Sequence, residues 1–354
     1  MKRTIACLLL ICILIPITAC GGGGVQNSYK TRNRTISSVY FNTYSQISTY
    51  ADESDDNIDS YVKIADEVLS YYHELFDIYY EYSGVNNIKT INKSAGKSPV
   101  TVDAALIDFL EYCKELYEIT GGKTNVMLGA VLKLWHDCRE AADDNFGYLS
   151  EDELPTEEEL NEAMQHTSID SLIIDRENST VYISDPDASL DVGAIAKGYT
   201  VDILCERIEE AGAKHTVLNI GGNIRTIGLK PDGGLWVTGI TNPDRNSENT
   251  LICKIKLGSA SIVTSGDYER YMMVGDKRYH HIIDPATKRP AEYFSAVSII
   301  TESSGLADAL STALFCMSYE EGAALVQEIG GIDVIWISAD GSIKATDGIA
   351  FHNE

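Results

Sequence analysis

The hydrophobic and polar positions of the first half of the chain follow helical spacing. Within Asp59–Tyr82, apolar side chains recur three and four residues apart, which predicts one long amphipathic helix. Thr156 is followed three residues later by Glu159, the capping-box pattern that begins a helix. Similar spacing predicts two more helices, at Asp103–Ile119 and Leu128–Arg139. Alternation of apolar and polar residues predicts one strand, at Val39–Tyr50.

The second half of the chain consists mainly of short alternating segments that predict strands. These are Leu172–Ile174, Thr180–Ile183, Thr216–Asn219, Ile224–Gly228, Trp236–Ile240, Ile252–Leu257, Ser261–Thr264, Tyr271–Val274, Val334–Ser338 and Ile343–Thr346. Helical spacing predicts Ala194–Ala211, Leu306–Phe315 and Tyr319–Ile329. Strands and helices mix without strict β-α-β alternation. The pattern therefore predicts an α+β fold with a strand-rich C-terminal half packed with helices.

The N-terminus has the features of an export signal. Two cations precede the apolar run Ala6–Ile15, which is too short to cross a bilayer as a helix. Small residues then lead to Cys20, which four glycines follow. This arrangement resembles a bacterial lipobox, in which Cys20 is lipidated. An ordinary signal peptide with an incidental cysteine is the alternative.

These features predict three segments. Residues 1–19 form a lipoprotein signal peptide, residues 20–36 a flexible, Gly-rich and polar tether, and residues 37–354 one folded domain. The corresponding location is extracytoplasmic, with the chain attached to the cell membrane through a lipid anchor.

Charge and cysteine content exclude several classes of function. The formal net charge is −25, so the surface repels nucleic-acid phosphates, and we expect no nucleic-acid partner. An anionic ligand would need local cations, amides or a metal. Beyond the signal, the cysteines are odd in number and widely spaced, which favours buried thiols over disulfides or a zinc site. They are Cys113, Cys138, Cys205, Cys253 and Cys316.

Two glycine-containing segments in the second half are suited to contact a ligand. In Asp191–Tyr199, two glycines allow close backbone approach, and Lys197 adds a cation at the start of a predicted helix, whose free amides suit phosphate. In Asn219–Ile224, adjacent glycines predict a tight turn. A purely structural turn is the alternative for both segments.

Two further segments carry polar groups suited to catalysis. His280 and His281 are adjacent, so on an extended strand they point to opposite faces and do not share one metal. Asp308 and Thr312 lie four residues apart and share one face of a predicted helix. Their oxygens are hard ligands suited to Mg²⁺. A capping Asp and a Thr bonded to its own helix are the alternative.

Taken together and in order, these segments resemble the ApbE family of FAD:protein FMN transferases. The matching stretches are DVGAIAKGYTVD, LNIGGNI, VTSGDYERYM, YHHIIDPAT and ADALSTALF. The N-terminal half is similar more loosely, through the family's first strand and its flavin-side segments. The resemblance implies an ApbE-like, T-fold-like architecture for the domain.

The resemblance also implies roles for individual residues. Asp191 and Lys197 would contact FAD, Ile282 would touch it as well, and His281 would lie near the pyrophosphate. His281 is also our candidate for the catalytic base, because histidine titrates near working pH. The implied ligands of Mg²⁺ are the carbonyl of Ala194 and the side chains of Asp308 and Thr312. The implied flavin-side residues are Tyr82, Asn125, Val126 and Met127.

Two positions depart from the family pattern. The family often has glycine after its Asp-Pro-x-Thr turn, where this chain has Lys288. Its first strand often carries Met-Gly-Thr or Phe-Asp-Thr, where this chain has Phe41-Asn42-Thr43. Both departures concern the rim of the implied site.

The resemblance implies Mg²⁺-dependent transfer of FMN from FAD, here a substrate, to a Ser or Thr hydroxyl of an exported flavoprotein, with release of AMP. An FAD pyrophosphatase would use the same site with water as the acceptor. A flavin-binding lipoprotein without catalysis and a lipoprotein of solute import are the remaining alternatives.

Overall fold

The computed structural model describes residues 29–51 and 57–352 and has the predicted α+β composition. Its helices are α1 (Ile58–Phe76), α2 (Ile88–Lys93), α3 (Ala104–Ile119), α4 (Gly129–Asp144), α5 (Glu157–Met164), α6 (Ala196–Glu210), α7 (Ser304–Phe315) and α8 (Tyr319–Ile329). Its strands are β1 (Lys30–Tyr40), β2 (Thr43–Ala51), β3 (Val100–Thr101), β4 (Tyr148–Leu149), β5 (Leu172–Asp175), β6 (Thr180–Ile183), β7 (Thr216–Ile220), β8 (Asn223–Ile227), β9 (Trp236–Thr241), β10 (Leu251–Leu257), β11 (Ser261–Gly266), β12 (Tyr271–Val274), β13 (Lys277–His280), β14 (Ile283–Asp284), β15 (Arg289–Pro290), β16 (Ala296–Thr301), β17 (Asp333–Ile337) and β18 (Ile343–Ala345).

An eight-stranded antiparallel sheet, ordered β1-β2-β7-β8-β11-β16-β17-β18, organises the fold. Helices α1, α6 and α7 pack on one face of this sheet, and the β9–β10 hairpin packs on the other. Successive strand residues point to opposite faces, so Val217 packs with Trp236 of the hairpin while Leu218 joins the helical core. The sheet thereby supports α6 and α7 side by side.

The N-terminal region differs from its prediction. The alternating stretch Val39–Tyr50 is not one strand but the turn and second strand of the β1–β2 hairpin. Phe41 and Asn42 form the turn with φ of 52° and 54°. Strand β1 begins at Lys30, so it includes part of the stretch 20–36 assigned to a tether. The signal sequence and Cys20 lie outside the described residues.

Helix α1 ends six residues before the predicted boundary at Tyr82. The Asp77 carboxylate accepts hydrogen bonds from the amides of Tyr79 and Tyr80, at 2.6 and 2.9 Å, and turns the chain away from the helix axis. Its aromatic residues continue the apolar spacing past this point, which is why the sequence predicts a longer helix. Tyr82 consequently lies on a loop, facing the β1–β2 turn across His73.

Most other elements are confirmed to within a few residues. The capping box of α5 forms as predicted, with the Glu159 carboxylate accepting from the Thr156 amide at 2.8 Å. Of the five cysteines beyond the signal, four are buried and Cys253 is half-buried, and all are free thiols. Within residues 29–51 and 57–352, every helix is too short or too polar to cross a bilayer.

Candidate active site

The loop before α6 is fastened to the segment that precedes α4. The Asp191 amide donates to the Val126 carbonyl oxygen at 2.8 Å. One residue earlier, the backbone of Leu190 exchanges two hydrogen bonds with the side-chain amide of Asn92, at 2.7 and 2.9 Å. The Asp191 carboxylate accepts from the Gly193 amide at 3.0 Å, which shapes the turn into α6. The structure therefore brings Asp191 and the Asn125–Met127 stretch together.

The first turn of α6 is irregular because α7 takes one of its hydrogen bonds. In a regular helix the Gly198 amide would donate to the carbonyl oxygen of Ala194, four residues earlier. Here it donates to Oδ2 of Asp308 at 2.8 Å instead. The Ala194 carbonyl oxygen accepts no backbone hydrogen bond from the described residues. It is therefore available to a ligand.

Gly198 allows α6 and α7 to approach this closely. A Cβ at that position would lie 2.2 Å from the Ser304 carbonyl oxygen and 2.7 Å from Cβ of Asp308. Both contacts are far inside van der Waals distance, so the crossing requires glycine. Asp202, one turn further along α6, accepts hydrogen bonds from the amides of Ser304 and Gly305 and fixes the start of α7.

Asp308 is a buried carboxylate with a cation beside it. It is only 5% exposed, and Nζ of Lys197 lies 3.8 Å from its Oδ1. Burial raises the pKa of Asp308, and the charge of Lys197 opposes that rise. Lys197 also donates to Oδ1 of Asn223 at 2.7 Å. The Asn223 amide group faces Asp308, but its Nδ2 makes no well-aligned hydrogen bond within the described part of the chain.

The residues implied as metal ligands lie on the two helices of the α6–α7 crossing or just before them. Thr312 lies one turn after Asp308 on α7 and is half-buried, and the free carbonyl of Ala194 borders the same carboxylate through Gly198. One carboxylate, one hydroxyl and one carbonyl oxygen suit Mg²⁺ that completes its octahedron with water and phosphate oxygens. The residues present therefore fit this ion.

Among the described residues, three side chains at the surface form a different cluster of metal-type ligands. They are His166, Asp185 and Asp187, with Nδ1 of His166 2.8 Å from Oδ2 of Asp185. Asp185 and Asp187 lie on the loop before Asp191, His166 lies just after α5, and the cluster shares no residue with the α6–α7 crossing. It supplies a natural comparison for metal-site variants.

The adjacent histidines lie in different environments, as predicted. His280 is buried edge-on against Phe315, donates from Nε2 to the Ala291 carbonyl oxygen at 2.8 Å, and accepts from the Ile282 amide at 3.2 Å. Both ring nitrogens of His280 are therefore occupied within the core. His281 is half-buried, and its amide donates to the Arg270 carbonyl oxygen at 3.0 Å.

His281 is held as a neutral imidazole. Burial lowers its pKa well below the ordinary value, and the guanidinium groups of Arg270 and Arg139 lower it further. Its Nδ1 lies 3.3 Å from the Arg270 carbonyl oxygen. Because a carbonyl only accepts, the proton resides on Nδ1 and Nε2 keeps a free lone pair.

Arg139 and Arg270 form a cationic pair that the sequence did not indicate. Burial lowers the pKa of Arg139, and the charge of Arg270 contributes in the same direction. No carboxylate of residues 29–51 or 57–352 lies within 4.0 Å of either guanidinium group. Arg270 is part of the YERY stretch. Arg139 belongs to no motif, and its position near His281 follows only from the packing of α4 in the structure.

The other side of this region carries His136 and Tyr79. Nε2 of His136 lies 3.7 Å from the Asp191 carboxylate, and Nδ1 lies 3.4 Å from the Tyr79 hydroxyl. Burial lowers the pKa of His136, and Asp191 opposes this shift. An acidic chain thus concentrates basic groups around Asp191 and His281.

The implied flavin-side residues differ in what they can offer. The Tyr82 hydroxyl donates to the Asp77 carboxylate at 2.8 Å, and burial raises the pKa of Tyr82. Asn125 bonds the Thr167 carbonyl oxygen and the Met127 amide, both at 2.9 Å. Three others have side chains buried in the hydrophobic cores, so only their backbone can reach a ligand: Val126, Met127 and Ile282.

Both departures from the family pattern occupy left-handed backbone positions. Lys288 has φ of 62° and Asn42 has φ of 54°. Lys288 donates from Nζ to Glu157 and Asn161 on α5, at 2.9 and 2.7 Å, while its carbonyl oxygen accepts from Trp135. Side-chain and backbone contacts thus fasten the loop at Lys288 to α4 and α5.

Comparison with known proteins agrees with this architecture. The family model described as "ApbE family" matches residues 41–336. A protein of Treponema pallidum named FAD:protein FMN transferase is 30% identical, over 96% of this chain and 93% of its own. The crystal structure of the ApbE protein from Thermotoga maritima superposes with a TM-score of 0.74 at 27% identity, covering 90% of this chain and 97% of that one.

A second solved structure, the flavin transferase ApbE from Vibrio cholerae, has a TM-score of 0.72 at 26% identity, covering 91% of this chain and 97% of that one. The match extends from the β1–β2 turn to β17 and includes the α6–α7 crossing, the paired histidines and the Asp191 loop. This chain belongs to the ApbE family and is a flavin transferase.

Proposed function

We propose that the chain transfers FMN from FAD to a Ser or Thr hydroxyl of an exported flavoprotein and releases AMP, in a Mg²⁺-dependent reaction. One observation carries the proposal. The Asp308 carboxylate accepts the hydrogen bond of the Gly198 amide, which leaves the Ala194 carbonyl oxygen without its helical donor. The proposed ligands beside it are the Asp308 carboxylate and the Thr312 hydroxyl. The curated relatives named FAD:protein FMN transferases support the same activity.

Ala194, Asp308 and Thr312 would hold the metal ion. When bound, Mg²⁺ neutralises charge on the FAD pyrophosphate that builds up as the bond to AMP breaks. The chain supplies a single carboxylate at this point, and Lys197 already offsets part of its charge. We therefore expect weak metal affinity without FAD and stronger affinity when phosphate oxygens share the ion.

The chain's own cations would bind the dinucleotide. Arg139 and Arg270 lie near His281, and Lys197 lies beside Asp308, in a protein with a formal net charge of −25. A local cluster of this kind attracts an anion that the rest of the surface repels. Asp191 and Tyr82 would orient the ligand, together with the backbone of the Asn125–Met127 stretch and of Ile282.

His281 would accept the proton of the acceptor hydroxyl. The hydroxyl oxygen forms a bond to the phosphorus on the riboflavin side, and the bond from that phosphorus to the bridging oxygen breaks, so that AMP leaves with that oxygen. The released proton would move to Nε2 of His281, the nitrogen that keeps a lone pair when Nδ1 donates to the Arg270 carbonyl oxygen. Its lowered pKa keeps this base unprotonated at neutral pH.

The location is also part of the proposal. A lipid on Cys20 would attach the chain to the outer face of the cytoplasmic membrane or place it in the periplasm, where exported flavoproteins are its acceptors. The support is the sequence pattern of residues 1–24. Mass analysis of the mature N-terminus after expression in a bacterium tests it, and an unmodified Cys20 would contradict it.

The direct test combines FAD, Mg²⁺, the full chain in detergent and an exported flavoprotein from the same genome. Transfer adds FMN less one water to the acceptor and releases AMP in equal amount. Free FMN without a gain in acceptor mass would instead assign FAD hydrolysis to the same site.

Asp308→Asn tests the metal role without removing the acceptor for the Gly198 amide. We expect AMP release to fall by about 100-fold or more at every Mg²⁺ concentration, with a melting temperature near that of the wild type. Asp187→Asn, in the separate surface cluster, is the matched control and should keep full activity. An equal loss of AMP release in Asp187→Asn would instead assign the metal site to the surface cluster.

A further inference from the structure

Three exposed aromatic side chains lie together beside the candidate site. Phe146 is 96% exposed, Tyr148 is 54% exposed and Tyr271 is 42% exposed. Tyr148 starts β4, which pairs in parallel with β12, the strand that Tyr271 starts. Phe146 lies two residues before Tyr148, in the turn that follows α4. We call these three residues the aromatic rim.

Nothing within the fold accounts for phenylalanine at position 146. Its φ is 57°, in the left-handed region that L-residues with bulky side chains disfavour. The turn itself is held by backbone hydrogen bonds, from the Gly147 amide to Ala142 at 2.7 Å and from the Tyr148 amide to Asn145 at 3.1 Å. The Phe146 ring contributes no burial to offset the strain. A contact with another molecule would explain both features.

The rim is continuous with the candidate site through two connections. Tyr271 directly follows Arg270, whose carbonyl oxygen holds His281. The Gly147 carbonyl oxygen accepts from the Met273 amide at 2.9 Å, which fixes the Phe146 turn to β12. The distance from Tyr271 to Met273 along the strand is about 7 Å. Helix α4, which ends at this turn, also carries Arg139.

The Tyr271 ring is held in place before any partner arrives. The guanidinium of Arg278 lies 4.6 Å from the ring centroid, and Asp267 holds that guanidinium at 2.9 Å. A ring fixed in this way loses little conformational freedom on binding. Exposed, oriented aromatic side chains are the residues that most often carry the energy of protein interfaces.

From this placement we propose that the aromatic rim docks the acceptor protein, contacting the segment that presents the Ser or Thr hydroxyl to His281. The inference rests on the proposed transfer to a protein. In the proposed reaction FAD would occupy the cationic region near Asp191, so the second substrate would approach from the surface. A protein acceptor needs contact area beyond the reacting hydroxyl, and the rim adjoins the place where that hydroxyl must lie.

Phe146→Gly separates docking from folding, because glycine tolerates the left-handed backbone. We expect a melting temperature no lower than that of the wild type, and unchanged FAD hydrolysis without acceptor. The KM for the acceptor flavoprotein should rise about tenfold, with kcat nearly unchanged. Phe146→Asn, which also tolerates positive φ, should behave in the same way.

Leu229→Ser is the matched control. Leu229 is 40% exposed and follows the C-terminal end of β8. Asn223, beside the candidate site, is at the other end of this strand, about 15–20 Å away. The KM of Leu229→Ser for the acceptor should equal that of the wild type. The activity measurements use the full chain in detergent with an exported flavoprotein of the same genome as the probe, and the vesicle sedimentation uses the full chain without detergent.

The outcomes separate the two proposals. A modified acceptor with an unchanged KM in Phe146→Gly removes the docking role and leaves transfer intact. A wild-type chain that hydrolyses FAD but modifies no acceptor removes both. If Phe146→Gly weakens sedimentation with phosphatidylglycerol vesicles while the KM stays constant, the rim contacts the membrane and the docking proposal is wrong.

Discussion

The α6–α7 crossing and the Phe146 turn both depart from regular backbone structure, but in different ways. At the crossing, the Gly198 amide donates to buried Asp308 and not to the Ala194 carbonyl oxygen. The two helices are too close there for any side chain at position 198. At the turn, Phe146 adopts a disfavoured backbone conformation with its ring in solvent. The first irregularity is built into the core and suits a small ligand. The second adds nothing to the core and suits a large partner.

Gly198→Ala should break the crossing and have the largest effect. The new Cβ would overlap the Ser304 carbonyl oxygen, so α6 and α7 must separate and Asp308 loses its amide donor. We expect the free energy of unfolding to fall by about 2–3 kcal/mol and AMP release to drop by at least about 100-fold. Urea denaturation and an AMP assay measure the two effects.

Gly258→Ala is the control for the Gly198 prediction. Its Cβ would meet no atom within 4 Å, and its backbone is not left-handed. Stability and activity should stay close to those of the wild type. Gly198→Ala with wild-type stability would show that the two helices can separate without loss of stability. That result would contradict the claim that the crossing requires glycine at position 198.

Arg270→Gln should have an intermediate effect, at the boundary between the two regions. Arg270 lowers the pKa of His281, so its removal raises that pKa toward the ordinary value of about 6.5. The proposed base is the neutral imidazole of His281, so under that proposal the acid limb of the kcat/KM profile should move to higher pH. Initial rates across pH 5–8 measure this shift.

The position of the acid limb, not the height of the profile, decides that test, since Arg270 would also bind FAD. Arg176→Gln is the control because Arg176 pairs with Asp108 and Glu111 on the surface. An acid limb that does not move in Arg270→Gln would argue against His281 as the base.

Lys288→Gly should have the smallest effect on the free energy of unfolding. It tests the comparison between two left-handed positions, Lys288 and Phe146. Lys288 and Phe146 both have positive φ, but Lys288 also pairs with Glu157 at 2.9 Å. Relief of strain and loss of this partly exposed pair nearly cancel, giving a change within about 1 kcal/mol. Phe146→Gly loses no such pair and should stabilise the fold more. The reverse order in urea denaturation would contradict this account.

Local sequence signals predicted the elements that depend on local interactions. The α5 capping box and the tight turn at Gly221 and Gly222 formed as expected, with φ of 57° and 92° at the two glycines. His280 and His281 do lie in different environments, but β13 ends at His280, so the end of the strand and not its alternation separates the two rings. The capping box and the turn depend on neighbours in sequence, which a single chain displays directly.

Features set by tertiary contacts were not predictable in this way. The β1–β2 turn uses Phe41, which has no turn propensity, so the alternating stretch indicates one continuous strand. Arg139 reaches His281 only because α4 packs beside β12. The buried side chains of Val126 and Met127 likewise show that adjacency to a ligand segment does not decide which atoms face the ligand.

The free thiols of the domain have a consequence for its biogenesis. The five cysteines in residues 29–51 and 57–352 are free thiols, so no disulfide joins distant segments within this part of the chain. The described part of the chain therefore needs no oxidant or disulfide isomerase to reach this fold. Recombinant chain made in a reducing compartment should have the same fold as chain made in an oxidising one.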